Sequence, residues 1–206
     1  MVDPKPLLLD RRVERIDRVV AERLASPVLV LEGVHDPHNL AAVLRTAEGL
    51  GLQEVHVVAG PKGFHPSQAV TQGADKWLDV LRHADGAACA RSLHERGFRL
   101  YAAMLDEASL PLERLPADEK LALVLGNEHA GVSPALAERC DGRFHIPMHG
   151  FTQSFNVSVA AGIAMHHVAA AARRAGAGTL TDAGRAGLRD RFYALAVKQA
   201  RRLGLG

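Results

Sequence analysis

The sequence predicts an α/β protein with a mostly parallel β-sheet flanked by helices. Continuous apolar runs, such as Val28 to Leu31 and Leu121 to Leu125, are typical of strands buried on both faces of a parallel sheet. Segments with the helical spacing of apolar residues alternate with these runs, and this alternation favours a parallel sheet. A chain of 206 residues with 48% hydrophobic residues supplies one core-bearing domain with short terminal extensions.

The elements of the first half follow in order from periodicity and from breaker residues. The segment 5–25 has an amphipathic helical pattern that ends at Ser26-Pro27, and its stripe consists of Leu9, Val13, Ile16, Val20 and Leu24. The next predicted elements are a strand over 28–31, a polar loop over 32–39, a helix over about 40–50 and a strand over 55–58. Residues 59–76 are rich in Gly, Pro, His and Gln, which indicates a long functional loop.

The second half continues the alternation. The predicted elements are short apolar segments around 77–81, a helix near 87–96, strands over 98–104, 121–125 and 144–146, a short helix after Pro134, an Ala-rich helix over 156–174 and a last helix from Thr181-Asp182 to about Leu203. The Ala- and Gly-rich residues 175–179 predict a hinge. We therefore expect an N-terminal helical extension (1–26), a main domain (27–174) and a C-terminal helix (175–206).

The charge of the chain permits a nucleic-acid partner without requiring one. The formal net charge is +2, but arginines are concentrated at both ends of the chain. Acidic residues interleave with the N-terminal arginines, so pairing within a helix explains much of that pattern. The tail has few acids, which favours a cationic face for phosphates. A solvated helix face explains any single arginine equally well.

Several classes of site are excluded by spacing. Cys89 and Cys140 form no C-x-x-C pattern, so we expect free thiols and neither a disulfide framework nor a metal site. Gly49-Leu50-Gly51 lacks the third glycine of a dinucleotide fingerprint and fits a helix-ending turn. Val132 stands where a phosphate-binding loop needs lysine, which argues against a nucleoside triphosphate site. Without a secretory signal or a membrane-length apolar run, we expect a cytoplasmic protein.

Three segments place glycines and polar residues at the carboxyl ends of predicted strands, where α/β proteins bind ligands. They cover residues 31–45, 124–133 and 146–160. In order, they contain Asn39 and Arg45 on one helix, then Gly126-Asn127-Glu128-His129-Ala130-Gly131-Val132-Ser133, then Ile146-Pro147-Met148-His149-Gly150 followed by Ser154-Phe155-Asn156-Val157-Ser158. Together they resemble the three motifs of the TrmH family of SPOUT methyltransferases over about residues 28–170. Ala41 and Phe155 depart from the family pattern without removing a polar group.

The resemblance implies an S-adenosylmethionine-dependent RNA 2′-O-ribose methyltransferase that acts as a homodimer. It also implies that the C-terminal part of the sheet is threaded into a deep trefoil knot. Carried over by motif, the expected cofactor-binding residues are Ala103, Met104, Leu125, Gly126, Ile146, Met148, Ser154, Phe155, Asn156 and Val157.

The resemblance also assigns the chemistry at the ribose. Arg45 matches the family residue that is often described as the base. Because arginine stays protonated in proteins, we expect Arg45 instead to bind the target phosphate and to stabilise the nascent alkoxide, with Asn39 orienting it. Glu128, Ser154 and Asn156 are expected to fix the ribose, the loop and the cofactor. Each residue also has a purely structural interpretation: Asn39, Ser154 or Asn156 as a helix cap, Arg45 as a surface residue, and Glu128 as an ion-pair partner.

The RNA expected from the resemblance is tRNA, with a guanosine of the D-loop as the target. The first strand begins near residue 28, which leaves no room for a separate N-terminal RNA-binding domain, and few aromatic residues favour phosphate contacts over base stacking. The expected RNA-binding residues are Arg11, Arg12, Arg15, Arg45, Arg201 and Arg202. The alternatives are an rRNA 2′-O-methyltransferase and a non-catalytic RNA-binding protein, whereas the glycine pattern speaks against a nucleotide-dependent oxidoreductase.

Overall fold

The computed structural model of the protein describes residues 4–58 and 73–202, with side chains as far as Lys198. The chain forms two compact units. Residues 24–178 make the sheet-containing unit, and the two terminal segments, up to Arg23 and from Thr179 onwards, together make a helical unit.

The larger unit is built on a seven-stranded sheet in the order β3-β2-β1-β6-β4-β7-β5, and every pair of neighbouring strands is parallel. The strands are β1 (Val28–Glu32), β2 (Glu54–Val58), β3 (Asp79–His83), β4 (Arg99–Ala103), β5 (Leu110–Pro111), β6 (Leu121–Leu125) and β7 (Gly142–His145).

The helices of this unit cover both faces of the sheet. They are α2 (Pro37–Gly49), α3 (Gly86–Glu95), α4 (Pro134–Ala137) and α5 (Val157–Ala175). Leu29 and Leu31 of β1 pack into a core with α2 and α5, whereas Val28 and Val30 pack into a second core with α3 and α4. The continuous apolar run of β1 is explained by this arrangement, because alternate side chains of a strand point to opposite faces.

The strand order places a crevice where ligands bind in such sheets. From β1 the chain builds outwards through β2 and β3 on one side, and the other side is built from β6, β4, β7 and β5. The order therefore reverses between β1 and β6, and ligands bind at the carboxyl ends of strands near such a switch point. All three candidate motifs begin at these carboxyl ends.

The helical unit pairs α1 (Asp10–Ala21) with α6 (Asp182–Arg202). Ile16 and Val20 are buried in this unit, as are Leu188, Phe192, Tyr193 and Ala196. The hydroxyl of Tyr193 donates a hydrogen bond to Asp17 over 2.6 Å, and the Arg189 guanidinium lies 2.9 Å from the same carboxylate. An α1 carboxylate is thus bound by two α6 side chains.

The predicted fold class is confirmed, and the structure differs from the predicted elements in several details. The first helix is shorter than 5–25, because only a short 3₁₀ turn precedes Asp10 and Leu24 pairs with Leu52 beside the sheet. Leu9, predicted to lie on the buried stripe, is 66% exposed. The two-residue strand β5 was not predicted, since Leu110–Pro111 is too short to show a period.

The loop predicted over 59–76 falls largely outside the described residues, and its last part, Ala74–Trp77, is a 3₁₀ turn. The trefoil knot implied by the family resemblance stays a prediction.

Candidate functional site

A cavity of about 490 Å³ opens at the carboxyl ends of β4, β6 and β7. The loops that follow these three strands, together with the start of α5, form its walls. The lining residues are Ala103 to Leu105, Leu125 to Val132, Phe144 to Ile146, Met148, Gln153 to Phe155, Val157 and Ala160. Its size is that of a pocket for a nucleoside-sized ligand.

Nine of the ten residues expected to bind the cofactor line this cavity. The exception is Asn156, which is the N-cap of α5 and accepts hydrogen bonds from the backbone N–H and the hydroxyl of Ser158. The capping interpretation of Asn156 is therefore confirmed. The lining also includes Leu105, Asn127 and Gln153, which the motif comparison did not select as ligands; two of them lie within the quoted motif segments.

The loop after β6 forms one wall of the cavity and is shaped by its own backbone. The Asn127 side chain accepts hydrogen bonds from the backbone N–H groups of His129 and Ala130, at 2.9 and 2.8 Å. Gly126 lies against the far end of the same loop, where a Cβ atom would stand 1.9 Å from the backbone of Gly131. Glycine is required at position 126 by this contact.

The end of that loop is fastened to the sheet by Glu32. The Glu32 carboxylate accepts one hydrogen bond from the Ser133 backbone N–H and another from its hydroxyl, both at 2.7 Å. Ser133 is also the N-cap of α4. Sequence reasoning gave Glu32 no role, although its position as the first polar residue after an apolar strand was the available signal.

A hydrogen-bonded chain joins the three motifs. The Asn156 amide donates to the Asn39 side-chain oxygen over 3.1 Å, and the Asn39 amide donates to the Glu128 carboxylate. These partners come from the start of α5, the first turn of α2 and the loop after β6. The motifs, which are far apart in the chain, therefore meet at one place beside the cavity.

These hydrogen bonds correct two interpretations of Asn39 and one of Glu128. The N-cap of α2 is Asp36, which accepts a hydrogen bond from the His38 backbone N–H, so Asn39 does not cap the helix. The Asn39 amide N–H₂ donates to Glu128, and its oxygen accepts from Asn156. Asn39 forms no hydrogen bond with Arg45. Glu128 is bound by an amide, and no arginine of the described residues forms an ion pair with it.

Arg45 is exposed on α2 and does not line the cavity. It follows Asn39 by six residues, or about 9 Å along the helix axis. The next residue, Thr46, lies beside Gly162 of α5, where a Cβ atom would be 3.7 Å from the Thr46 methyl group. Within the described part of the chain, Arg45 has neither a hydrogen bond nor an ion pair. Its guanidinium is thus available to an external anion.

The arginines expected to bind RNA differ in setting. Arg11 and Arg15 are exposed on α1, one turn apart, whereas Arg12 is half-buried. Arg201 and Arg202 belong to α6, but their side chains lie outside the described part of the structure. None of the described helices is both long and apolar enough to cross a membrane.

Comparisons with known proteins agree with this geometry. Residues 26–166 match the model of the SpoU rRNA Methylase family. The chain is 37% identical over 154 residues to the tRNA (guanosine(18)-2′-O)-methyltransferase of Thermus thermophilus, an alignment that covers 75% of this chain and 79% of that protein.

Solved structures show the same likeness. The crystal structure of the A. aeolicus TrmH/SpoU tRNA modifying enzyme superposes with a TM-score of 0.81 at 26% identity, over 91% of this chain and 98% of the other. The AdoMet-bound rRNA methyltransferase of Sinorhizobium meliloti superposes with a TM-score of 0.64 at 25% identity, over 77% of this chain and 60% of the other.

Proposed function

The chain belongs to the SpoU rRNA Methylase family, and we propose that it methylates the ribose 2′-hydroxyl of a tRNA guanosine with S-adenosylmethionine as donor. The Thermus relative is named for guanosine 18, and we propose the same nucleotide here. The observation that carries the proposal is the meeting of Asn39, Glu128 and Asn156 beside a nucleoside-sized cavity. The reaction then takes place in the cytoplasm, where tRNA is used.

The cavity suits S-adenosylmethionine in shape and in charge. Backbone turns at Gly126 and Ile146 offer amide and carbonyl groups to an adenine edge, and the side chains of Ile146 and Phe155 offer apolar cover for its faces. Glu128 adds a carboxylate to the wall, which favours a cationic ligand. When bound, the donor supplies a methyl group activated by its sulfonium, and the protein has to align the acceptor and manage one proton.

Arg45 is assigned to the acceptor side of the reaction. A ribose 2′-hydroxyl is a very weak acid, so negative charge that develops on its oxygen must be stabilised. Because arginine stays protonated in proteins, Arg45 acts as a cation that holds an RNA phosphate and stabilises this charge, and the proton leaves to the phosphate or to water. Asn39 and Asn156 act by holding Glu128 and the start of α5 in place, and Ser154 contacts the ligand from the cavity wall.

We infer that the protein works as a homodimer formed along α5. Phe155, Val159 and Ile163 are 39%, 48% and 37% exposed and follow one another at intervals of four residues, which makes an apolar stripe beside the cavity. Thr46 lies beside Gly162, so Arg45 stands next to this stripe. Dimerisation along the stripe brings Arg45 close to the partner subunit, where it completes the site.

The RNA is held by phosphate contacts from exposed arginines. Arg11 and Arg15 present two charges one helical turn apart, and the C-terminal part of α6 adds further arginines. Such contacts position an RNA backbone without reading its sequence. Recognition of the guanosine therefore falls to the groups around the cavity.

The direct test is a methylation assay with labelled S-adenosylmethionine on unmodified tRNA and on rRNA, followed by mapping of the labelled nucleotide. We expect label on tRNA guanosine 18, and none on a transcript with a 2′-deoxyribose at that position. Label on rRNA alone would favour the rRNA branch of the family. Tight binding of tRNA without transfer to either RNA would favour a non-catalytic RNA-binding role.

A further inference from the structure

Three potential metal ligands meet on the side of the sheet away from the cofactor cavity. They are His56 on β2, His83 at the end of β3 and Cys89 on α3, and their ligand atoms all lie within 4.8 Å of one another. His56 and Cys89 have no exposed surface, and His83 is half-buried. Histidine is buried less often than cysteine, and the buried His56 here places a ring nitrogen beside two further potential metal ligands.

The Glu54 carboxylate lies on the side of the His56 ring away from the cluster. It is 3.4 Å from His56 Nε2, within ion-pair distance but without a hydrogen bond, and Arg96 lies 2.8 Å from the same carboxylate. The negative charge of Glu54 favours the proton on Nε2 and leaves the lone pair on Nδ1. A carboxylate near the second nitrogen is also common beside metal-bound histidines.

The second histidine faces that lone pair. The Nε2 atom of His83 is 2.9 Å from Nδ1 of His56, with the ring centroids 5.1 Å apart and the ring planes inclined by 16°. These values describe two nearly coplanar rings that approach edge to edge, so two nitrogen atoms point into one space. One proton fills that space in a hydrogen bond, and a metal ion bound to both nitrogens would replace it.

Cys89 supplies a thiol from the helix that covers this part of the sheet. Cys89 is a free cysteine with no exposed surface, and its Sγ atom carries the thiol proton. Binding of a divalent ion would form one metal–sulfur bond and release that proton to solvent.

From this geometry we propose that His56, His83 and Cys89 form a binding site for a thiophilic divalent transition-metal ion, for which Zn²⁺ is the expected occupant. Two imidazoles and a thiolate suit Zn²⁺ and exclude Mg²⁺ and Ca²⁺, which need oxygen ligands. Zinc bonds of about 2.0–2.3 Å place tetrahedral ligand atoms roughly 3.3–3.7 Å apart. On binding, the two imidazole nitrogens, which are 2.9 Å apart, would therefore separate by roughly 0.4 Å, and the longest separation in the cluster, which is within 4.8 Å, would shorten by about 1 Å.

The position of His83 in the sheet allows the adjustment that binding needs. His83 ends β3, the edge strand of the sheet, so it can move without breaking pairing on both sides. An ion bound there would join β2, β3 and α3, and it would stabilise this edge of the sheet.

This proposal departs from the sequence-based expectation, which was that Cys89 belongs to no metal site. Its ligands are separated by 26 and 5 intervening residues and match no zinc motif. The parallel pairing of β2 with β3, in which His56 is one strand away from His83, brings them together.

The test uses tag-free, metal-stripped protein titrated with Zn²⁺ by calorimetry and with Co²⁺ by absorption spectroscopy. We expect one ion per chain, a thiolate-to-cobalt charge-transfer band and a rise in Tm with Zn²⁺ but not with Mg²⁺. Cys89→Ser should abolish the charge-transfer band and weaken Zn²⁺ binding at least about tenfold. Cys140→Ser, which removes the other cysteine, should leave both unchanged.

The spectrum of the unaltered protein decides the matter even if a variant fails to fold. Absence of the charge-transfer band from that protein would overturn the proposal. So would a band that survives in Cys89→Ser or disappears in Cys140→Ser. His83→Gln, on the edge strand, provides a second variant in which the number of bound ions should fall while the far-ultraviolet circular dichroism stays the same.

Discussion

Arg45 combines exposure with freedom from partners among the described residues, and this sets it apart from Asn39, Glu128 and Asn156. Asn39, Glu128 and Asn156 are engaged with one another, so their hydrogen-bonding capacity is largely used inside the protein. A guanidinium without a described partner retains its capacity for a phosphate. At the scale of single residues, the site therefore separates groups that hold its shape from one group that meets the RNA.

Arg45→Ala should lower kcat by about 10²–10³-fold, because it removes a cation that stabilises developing charge. The affinity for S-adenosylmethionine should change less than twofold, since Arg45 does not line the cavity. Single-turnover methylation and calorimetry with the donor measure the two quantities. Arg99→Ala removes an arginine paired with Glu119 at the amino end of β4 and serves as the control. A large loss of donor affinity with kcat intact would contradict the assignment.

Glu32 is a positioning residue, because it acts on the cavity only through Ser133. Glu32→Gln keeps the size of the side chain but presents an N–H₂ group to one of two donors, and an unsatisfied donor costs about 1–3 kcal/mol. We expect a raised KM for S-adenosylmethionine, a small change in kcat and a lower Tm.

A double-mutant cycle with Ser133→Ala checks that Glu32 acts through Ser133. Ser133→Ala removes the hydroxyl bond and keeps the backbone bond, so the double variant should lose less than the sum of the two single losses if Glu32 acts through this hydroxyl. Fully additive losses would show that Glu32 acts elsewhere. Glu107→Gln, on an exposed side chain, is the control for the change of charge.

At the scale of elements, the buried strands were the most predictable part of the fold. The runs at β1 and β6 are apolar at every position except Glu32, because both faces of those strands are covered. β5 was not predicted, because a two-residue strand is too short to show an alternation of apolar and polar side chains. The position of β6 between β1 and β4 could not be predicted either, because strand order depends on long-range packing that local patterns do not encode.

The candidate site also has parts that the sequence predicted and parts that it did not. Motif residues at strand ends predicted most of the cavity wall, since the carboxyl ends of parallel strands meet at one edge. The partners of Asn39 could not be predicted, because Glu128 and Asn156 are 89 and 117 positions away in the chain. His56, His83 and Cys89 show the same limit, since no spacing rule connects them.

Gly126→Ala tests the loop that forms one wall of the cavity. The added Cβ would stand 1.9 Å from backbone atoms of Gly131 and 2.2 Å from the backbone N of Val132, and backbone cannot yield as a side-chain end does. Overpacking costs about 1–3 kcal/mol, so donor affinity should fall roughly tenfold. Gly49→Ala is the matched control, because nothing lies within 4 Å of its added Cβ. Calorimetry that finds unchanged affinity in Gly126→Ala would show that the loop does not shape the site.

At the scale of the whole molecule, the α5 stripe predicts self-association. Ile163→Lys should produce a monomer in analytical ultracentrifugation and abolish turnover, because a buried lysine in an apolar interface lacks a partner. Leu81→Lys is the matched control, since Leu81 is 38% exposed and Ile163 is 37% exposed. A dimer that persists in Ile163→Lys would place the interface elsewhere.

The exposed arginines of α1 predict that the affinity for tRNA depends on salt concentration. Replacing Arg11 and Arg15 together with glutamine should weaken binding and reduce the slope of log affinity against log salt by roughly one for each arginine that contacts a phosphate. Filter binding over a salt series measures the slope, and Arg99→Gln supplies a control for lost charge. An unchanged slope in the double variant would remove α1 from the RNA contacts.

The hydrogen bonds from Asn156 through Asn39 to Glu128 also determine when activity can arise during synthesis. Asn39 leaves the ribosome first, Glu128 follows, and Asn156 comes near the end of the sheet unit. A polypeptide that terminates early can build most strands and still lack the last link. We therefore expect products that end before Asn156 to lack methyl transfer, and translation through α5 to be needed for activity.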